Sequence, residues 1–267
     1  MPLIRELMSL AGRRALITGA TGYLGRVVAE TLAELGADIV LVDRPGSDFE
    51  MLARTLTDRW AVSVQCEPCD LERSEQRTEL AAKVGGGRQG LNILVNNAAF
   101  VGTSDLQGWA VPFEAQTVET WRRALEINLT AVFDLCRGLA PLLTASEGGA
   151  IINIGSIYGS FGPDWRLYEG TAMANPAAYA ASKGGLIQLT RWLATTLAPA
   201  VRVNAISPGG IVRGQPQVFI DRYEARTPLG RMATEEDFRG AIAYLASDLS
   251  KYVTGHNLPV DGGWGIW

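Results

Sequence analysis

The chain has 267 residues, 47% of them hydrophobic, and a formal net charge of −4. This is enough apolar material for a large core, and without a basic block there is no reason to expect nucleic acid or an anionic membrane as a partner. The first ten residues lack the apolar run of a signal peptide, and no stretch approaches the roughly 20 apolar residues of a membrane span. We therefore predict a cytoplasmic protein.

Three cysteines and one histidine argue against a metal site. Cys66 and Cys69 have no second Cys or His pair at zinc spacing, and His256 stands alone in a predicted loop. We predict inert thiols in a reducing compartment and no bound metal.

The first predicted element is a short buried strand at residues 14–18, which runs into a glycine-rich turn. Apolar residues then recur at helical spacing as far as Gly36. Glycines in a strand-to-helix turn let the backbone approach a ligand closely, and the free amides of the helix can hold a pyrophosphate. The predicted cofactor contacts in this turn are Gly19, Thr21, Gly22, Tyr23, Leu24 and Gly25.

The second predicted strand, residues 37–43, ends in a carboxylate. Asp43 can accept the hydroxyls of an adenosine ribose and would repel a 2′-phosphate, which favours NAD. Arg44 follows it and could accommodate that phosphate, so NADP stays possible.

Two further strands deliver polar groups to the same edge of the sheet. After a helix predicted at residues 47–59, a third strand at 61–66 leads to Asp70 and Leu71, and a fourth at 91–97 ends in Asn97-Ala98-Ala99. The glycine-rich stretch 85–90 between them reads as a surface connection. Ligands of open parallel sheets bind at the carboxyl ends of the strands, so these residues should border the cofactor.

The second half of the chain carries the candidate reactive groups. Residues 117–144 predict two helical pieces with Asn128 beside an apolar stripe, where it needs a partner or a function. A fifth strand at 150–156 delivers Ser156. Tyr179 and Lys183 follow at a spacing of four, which puts them on one face of a helix. A nearby ammonium favours the phenolate, which moves a tyrosine toward acid–base use at neutral pH.

The sixth strand, residues 201–206, leads to Pro208-Gly209-Gly210-Ile211. A segment at 212–234 that reads as mobile follows, then a helix capped by Thr234 and a last strand near 257–260. Strands and helices alternate without a linker, which predicts one α/β domain over residues 1–267, built on a doubly wound parallel sheet.

From about Leu10 onward the chain resembles the short-chain dehydrogenase/reductase family. The motifs that carry the resemblance are, in order, Thr18-Gly-Ala-Thr-Gly-Tyr-Leu-Gly25, Asp43, Asp70, Asn96-Asn-Ala-Ala99, Asn128, Ser156, Tyr179-x-x-x-Lys183 and Pro208-Gly209. The family implies a single-domain Rossmann fold of about seven strands in the order 3-2-1-4-5-6-7, with helices on both faces.

The resemblance implies a role for each candidate catalytic residue. Tyr179 would be the acid–base group in hydride exchange between an alcohol or ketone and NAD(P). Lys183 would hold the ribose and lower the pKa of the tyrosine, Ser156 would bind the reacting oxygen, and Asn128 would anchor a water in a proton relay. The further cofactor contacts implied are Asp70, Leu71, Asn97, Ala98, Ala99, Tyr179, Lys183, Pro208, Gly209, Gly210 and Ile211.

Three departures from the family pattern keep alternatives open. The turn glycines are spaced three and three apart, as in the extended sugar-nucleotide epimerases and dehydratases, although the chain is short for their substrate domain. Ala99 replaces a glycine, and no threonine follows Ile211 at the usual offset to meet the nicotinamide amide. A further alternative is a protein that senses a dinucleotide without catalysis. Such a protein would lack Tyr179, Lys183 or Ser156, and all three are present here.

Two loops, at about 157–178 and 212–234, are the predicted substrate region. The first loop is longer by roughly ten residues than the usual connection between the serine and the tyrosine in the family. Its polar and aromatic groups suit a sugar-like or other polyol substrate. Alternatively, these groups pack on one another. The loops and the C-terminus also resemble a bacterial subgroup linked to gluconate-type and nonulosonic-acid pathways. The candidate substrate contacts are Ser156, Tyr158, Tyr168, Tyr179, Gly209 and Arg213. By resemblance, Trp264 and Trp267 would lie in the subunit contact of a homodimer or homotetramer.

Overall fold

Seven parallel strands form one sheet in the computed structural model of the chain, which describes residues 1–86, 90–101 and 106–267. The order 3-2-1-4-5-6-7 is the predicted one, and every neighbouring pair is parallel. The strands are β1 Arg14–Thr18, β2 Asp38–Asp43, β3 Val64–Pro68, β4 Ile93–Asn96, β5 Gly149–Ile154, β6 Val201–Pro208 and β7 Asn257–Val260. The chain reverses its direction of winding between β1 and β4, and a ligand crevice is expected at such a switch point.

Helices cover both faces of the sheet. Their bounds are α1 Ile4–Met8, α2 Tyr23–Glu34, α3 Glu50–Trp60, α4 Ser74–Gly85, α5 Val118–Leu125, α6 Ala131–Ala145, α7 Ala177–Leu197, α8 Gln217–Arg226 and α9 Arg239–Ala246. The predicted third strand began too early: Ala61 adopts a left-handed backbone (φ 55°) that ends α3, so β3 starts only at Val64. Part of the predicted 85–90 connection lies outside the described residues.

Alternate residues of the strands feed two separate cores. In β1, Ile17 packs with residues of α2, α3 and α9, whereas its neighbour Leu16 packs with residues of α4, α6 and α7 on the other face. Both side chains are fully buried, and burying one of this size contributes about 1.5–3 kcal/mol. Apolar burial on both faces accounts for the nearly continuous hydrophobic strands of the sequence.

Helices α5 and α6 form one continuous run through a π-helical segment, Glu126–Thr130, rather than two separate pieces. By length and composition alone this 28-residue run could cross a membrane. Its residues Leu135, Cys136 and Leu139, however, pack in the core beneath the sheet. The run is therefore a core element of the fold.

The segment 212–234 is not the mobile loop that its sequence suggested. It contains α8, whose Phe219 and Tyr223 are buried in a third apolar cluster together with Trp264. The Trp264 ring is 1% exposed and stacks on Tyr223 at 5.9 Å between centroids. The prediction that Trp264 lies in a subunit contact is therefore wrong, whereas Trp267 is exposed.

Candidate active site

A cavity of about 780 Å³ runs along the carboxyl ends of β1 to β6. Its volume lies within the roughly 300–1,000 Å³ of small-molecule sites. It brings together most of the residues that the sequence singled out. Those lining it are Gly19, Thr21, Gly22, Tyr23, Leu24, Gly25, Asp43, Arg44, Asp70, Leu71, Asn97, Ala98, Ala99, Ser156, Tyr179, Lys183, Pro208, Gly209, Ile211 and Arg213.

Four predicted site residues lie outside the lining of this cavity. Gly210 donates its amide to the hydroxyl of Tyr223 at 2.6 Å. The hydroxyls of Tyr158 and Tyr168 lie 2.7 Å apart, and both rings pack in the cluster around Trp264. The long loop thus packs its aromatic groups against those of α8 and of the C-terminal segment. The fourth residue is Asn128, which lies behind the cavity wall.

The glycine-rich turn is a cradle that side chains would fill. Gly19 has a left-handed backbone (φ 63°), and a Cβ there would lie 2.8 Å from Cα of Ala98. At Gly25 a Cβ would lie 2.0 Å from the carbonyl oxygen of Gly19. Helix α2 begins directly after Gly22, so its first amides open onto the cavity. Such an N-terminus favours an anionic group.

Asp43 ties the tip of β2 to this turn. Its Oδ2 accepts hydrogen bonds from the amide and the hydroxyl of Thr21, at 2.9 and 2.7 Å, and its Oδ1 accepts one from the amide of Arg44 at 2.8 Å. A carboxylate has about four acceptor positions. Asp43 therefore keeps acceptor capacity for ligand hydroxyls while it shapes the turn.

Thr18 and Asn97 fasten the turn to the tip of β4. The Thr18 hydroxyl accepts the amides of Asn97 and Ala98, and the Asn97 side chain donates to the carbonyls of Thr18 and Gly19 at 2.9 and 3.0 Å. Asn97 therefore holds the switch point together, a role that its place in the sequence did not specify.

Ser156, Tyr179 and Lys183 meet at the other end of the cavity. Ser156 and Lys183 are buried, and Tyr179 is half-buried close to Ser156. The Lys183 ammonium lies 5.8 Å from the centroid of the Tyr179 ring and donates to the carbonyl of Ile154 at 2.7 Å. Tyr179 and Lys183 therefore share one face of α7, as predicted.

The electrostatics of this group differ from the expectation. Burial raises the pKa of Tyr179, and the opposing contributions come from the hydrogen bond with Ser156 and the charge of Arg213. Burial also lowers the pKa of Lys183 to about 8. The expected lowering of the tyrosine pKa by Lys183 is thus not found, because desolvation outweighs the contributions that lower this pKa.

Asn128 lies on the π-helical segment, and its side chain is fully engaged. Its Oδ1 accepts the amide of Phe100 at 2.6 Å, and its Nδ2 donates to the hydroxyl of Ser182 at 3.0 Å and to the carbonyl of Phe100 at 3.3 Å. It therefore joins the loop after β4 to the helix that carries Tyr179.

Sequence reasoning missed several residues of the cavity wall. Arg123 and Glu72 form a two-bonded ion pair at 2.7 and 3.1 Å, and both line the cavity. Gln215 also lines it, and its Nε2 donates to the carbonyl of Ile211 at 2.7 Å. The Arg123–Glu72 pair joins segments 51 residues apart, so no local pattern could have revealed it.

Known proteins match nearly the whole chain. The family model described as enoyl-(acyl carrier protein) reductase matches residues 19–265. The chain is 35% identical over 264 residues to cis-4-hydroxycyclohexanecarboxylate dehydrogenase of Sinomonas cyclohexanicum, covering 96% of this chain and 98% of that protein.

Two solved structures show the same fold. Gluconate 5-dehydrogenase from Burkholderia cenocepacia J2315, in complex with NADP and tartrate, has a TM-score of 0.87 at 29% identity, covering 99% of this chain and 100% of that one. A short chain dehydrogenase from Leptospira borgpetersenii serovar Hardjo-bovis with bound NAD+ has a TM-score of 0.84 at 32% identity, covering 99% and 97%. These matches and the sheet order agree with the resemblance seen in the sequence. The chain therefore belongs to the short-chain dehydrogenase/reductase family of NAD(P)-dependent oxidoreductases.

Proposed function

We propose that the chain interconverts a secondary alcohol and a ketone on a polar, sugar-derived substrate, with NAD as the preferred cofactor and Tyr179 as the acid–base group. The observation that carries the proposal is the meeting of Ser156, Tyr179 and Lys183 at one end of a cavity whose other parts suit a dinucleotide.

The nicotinamide, when bound, supplies the carbon that gives or takes a hydride. The hydroxyl of Tyr179 gives a proton to the substrate oxygen during ketone reduction and takes one during alcohol oxidation. Ser156 holds the same oxygen by a hydrogen bond as its charge develops. Lys183 uses one of its three donors on Ile154 and keeps the others for ribose hydroxyls. Burial raises the pKa of Tyr179, so its proton is retained at neutral pH, ready for the reductive direction.

Asp43 supports a preference for NAD. Its carboxylate lies at the tip of β2 and lines the cavity, where a 2′-phosphate would meet a like charge. Arg44 is exposed beside it and is the residue through which NADP could be accepted. Among the related structures one holds NADP and another NAD+, which supports a nicotinamide dinucleotide of either kind.

Relatives and the site chemistry support a hydroxylated, polar substrate. The names of two relatives specify a hydroxylated cyclohexanecarboxylate and gluconate, both of them hydroxy acids. Ser156, Tyr179 and Gly209 line the cavity where such a molecule would meet the nicotinamide.

A substrate panel tests the proposal. The purified chain is incubated with NAD or NADP and with sugars, sugar acids, cyclic hydroxy acids and sugar nucleotides, and reduced nicotinamide is followed by absorbance. A 2-enoyl thioester with NADH or NADPH is included because the matching family model is described as enoyl-(acyl carrier protein) reductase. Sustained NADH formation from a sugar acid or polyol supports the proposal. Turnover of the thioester alone would contradict it.

The epimerase or dehydratase alternative rests on the three-and-three glycine spacing. Its distinguishing result in the same panel is isomerisation or dehydration of a sugar nucleotide without net NADH. A dinucleotide sensor would bind NADH and turn over nothing in the panel. That each of Ser156, Tyr179 and Lys183 is present in the cavity favours catalysis over sensing.

We further propose a cytoplasmic homodimer or homotetramer. Exposed aromatic side chains on the long helices, Trp121, Phe133 and Trp192, support association with other copies.

The free thiols Cys69 and Cys136 are buried, and burial raises their pKa to about 11 and about 12, which suits inert thiols.

A further inference from the structure

Arg213 lies at the mouth of the cavity on the segment that follows β6. A bridge between Ile211 and Ala233 fixes the backbone just before it, and its own amide donates to Oε1 of Gln215 at 2.6 Å. Its position relative to the cavity is therefore set by the fold rather than by a free loop.

The side chain of Arg213 reaches the glycine-rich turn. Its Nε donates to Glu235 at 2.7 Å, and its guanidinium carbon lies 4.9 Å from the ring centroid of Tyr23. Tyr23 is the first residue of α2, so the guanidinium lies beside the helix N-terminus that favours an anionic group. Among the described residues, the terminal nitrogens of Arg213 have no protein hydrogen-bond partner.

Arg213 also faces the reaction end of the cavity. It lines the same cavity as Tyr179, and its charge opposes the rise in the pKa of that tyrosine. The Arg213 guanidinium thus lies between the glycine-rich turn and the reactive group around Tyr179. The diphosphate of a dinucleotide would occupy this middle region, because it joins the adenosine half to the nicotinamide half.

Other cations of the cavity wall are committed elsewhere. Lys183 donates to Ile154 at the reaction end, and Arg123 is paired with Glu72. Arg44 lies next to Asp43, at the adenosine end. Arg213 is therefore the cation best placed for the middle of the cavity.

We propose that Arg213 binds the cofactor diphosphate, so that the diphosphate is held between this guanidinium and the glycine-rich turn. A guanidinium can donate two parallel hydrogen bonds to phosphate oxygens, and Glu235 pre-orients it by holding Nε. The inference rests on the proposed use of a dinucleotide. It reassigns Arg213 from the substrate, where the sequence had put it, to the cofactor.

Binding measurements without substrate test this assignment. NADH fluorescence gives the Kd for wild type, Arg213→Gln and Arg213→Lys, and competition against NADH gives the Kd for ADP-ribose and for adenosine. Arg191→Gln is the matched control, because it removes the same charge from an exposed site on α7 where the arginine donates to Gln188 at 3.1 Å. Thermal melting of each cofactor-free variant confirms that it is folded.

Arg213→Gln should weaken NADH and ADP-ribose about tenfold or more and leave adenosine within about twofold, because only the first two carry the diphosphate. Arg213→Lys should lose less, and Arg191→Gln should change nothing. Unchanged NADH and ADP-ribose affinities in Arg213→Gln would overturn the proposal, as would an equal loss for adenosine. A protein that binds NADH through Arg213 but turns over no substrate would instead contradict only the proposed oxidoreductase function.

Discussion

At Lys183, burial disfavours the charged ammonium that the proposed chemistry needs. Its ammonium is buried with one carbonyl partner, that of Ile154, and burial lowers its pKa from 10.5 to about 8. The spacing from Tyr179 was readable from the sequence because a helix puts such residues on one face. The lowering of the Lys183 pKa by desolvation could not be read from the sequence, because it depends on the packing of distant segments.

Lys183 should make stability depend on pH in a defined window. Between about pH 8 and pH 10.5 the unfolded chain keeps a proton on Lys183 that the folded chain has released, so the free energy of unfolding should rise with pH. Relative to Lys183→Met, the cofactor-free wild type should gain up to about 3 kcal/mol across this window. Urea unfolding of both proteins at several pH values measures the difference. Parallel pH curves for the two proteins would contradict the assignment.

Asp43 should control the choice between NAD and NADP. Asp43→Asn keeps an acceptor for Thr21 but removes the charge that would repel a 2′-phosphate. The ratio of the Kd for NADPH to that for NADH should fall about tenfold in this variant, whereas Arg44→Ala should raise it. Fluorescence titration with both reduced cofactors measures the ratio. A ratio that stays within about twofold of wild type in Asp43→Asn would remove Asp43 from cofactor selection.

At the scale of elements, the π-helical segment Glu126–Thr130 is held by a buried arginine of α4. Arg77, whose side chain is 5% exposed, donates to Glu126 and to Asp134 at 2.8 Å each, and to the carbonyl of Leu71 at 2.5 Å. It thus joins the loop after β3, which lines the cavity, to the segment that carries Asn128. The sequence predicted helix here but neither the π-helical geometry nor this anchor, since both depend on contacts about 50 residues apart.

Two arginines on one carboxylate give a matched test of this anchor. Arg77→Met should lower the free energy of unfolding by about 3 kcal/mol, because it leaves two part-buried carboxylates without their buried cation. Arg137 donates to the same Asp134 but is 70% exposed, so Arg137→Met should cost less than about 1 kcal/mol. Urea unfolding at neutral pH measures both values. Equal losses in the two variants would contradict a special role of Arg77.

The aromatic loop and α8 illustrate the limit of local patterns. Asp164 accepts from Arg166 and from Arg226 of α8, and the Arg226 guanidinium lies 4.5 Å from the ring centroid of Trp264. Hydrogen bonding from Arg166, with the nearby arginine charges, lowers the pKa of Asp164 to about 2. The sequence marked the loops at 157–178 and 212–234 as a substrate region, but it could not reveal that they pack with the C-terminal Trp264 into one unit.

At the scale of the whole molecule, the alternation of strands and helices was enough to predict the parallel sheet and its two helical layers. The order of the strands came with the family resemblance, and the structure confirms it. The sequence could not predict which aromatic residues are buried and which lie on the surface. Trp264 proved to be an internal residue, and the exposed aromatic residues of α5, α6 and α7 were not singled out.

Light scattering tests the proposed assembly. At micromolar concentration the chain should have the mass of two or four copies, because exposed Trp121, Phe133 and Trp192 leave apolar area for a subunit contact. Replacing Phe133 and Trp192 together by Gln should shift the mass toward one copy while each chain stays folded. A wild type that is monomeric under these conditions would contradict the assembly.

Replacing Tyr179 by Phe tests the proton-transfer role most directly. The variant keeps the ring and its packing but lacks the hydroxyl that would give or take the proton. Turnover with the substrate found in the panel should fall more than about 100-fold, while the Kd for NADH stays within about twofold of wild type. Tyr244→Phe on α9, away from the cavity, should match wild type in both measurements. Residual turnover of Tyr179→Phe above about a tenth of wild type would remove Tyr179 from the chemistry.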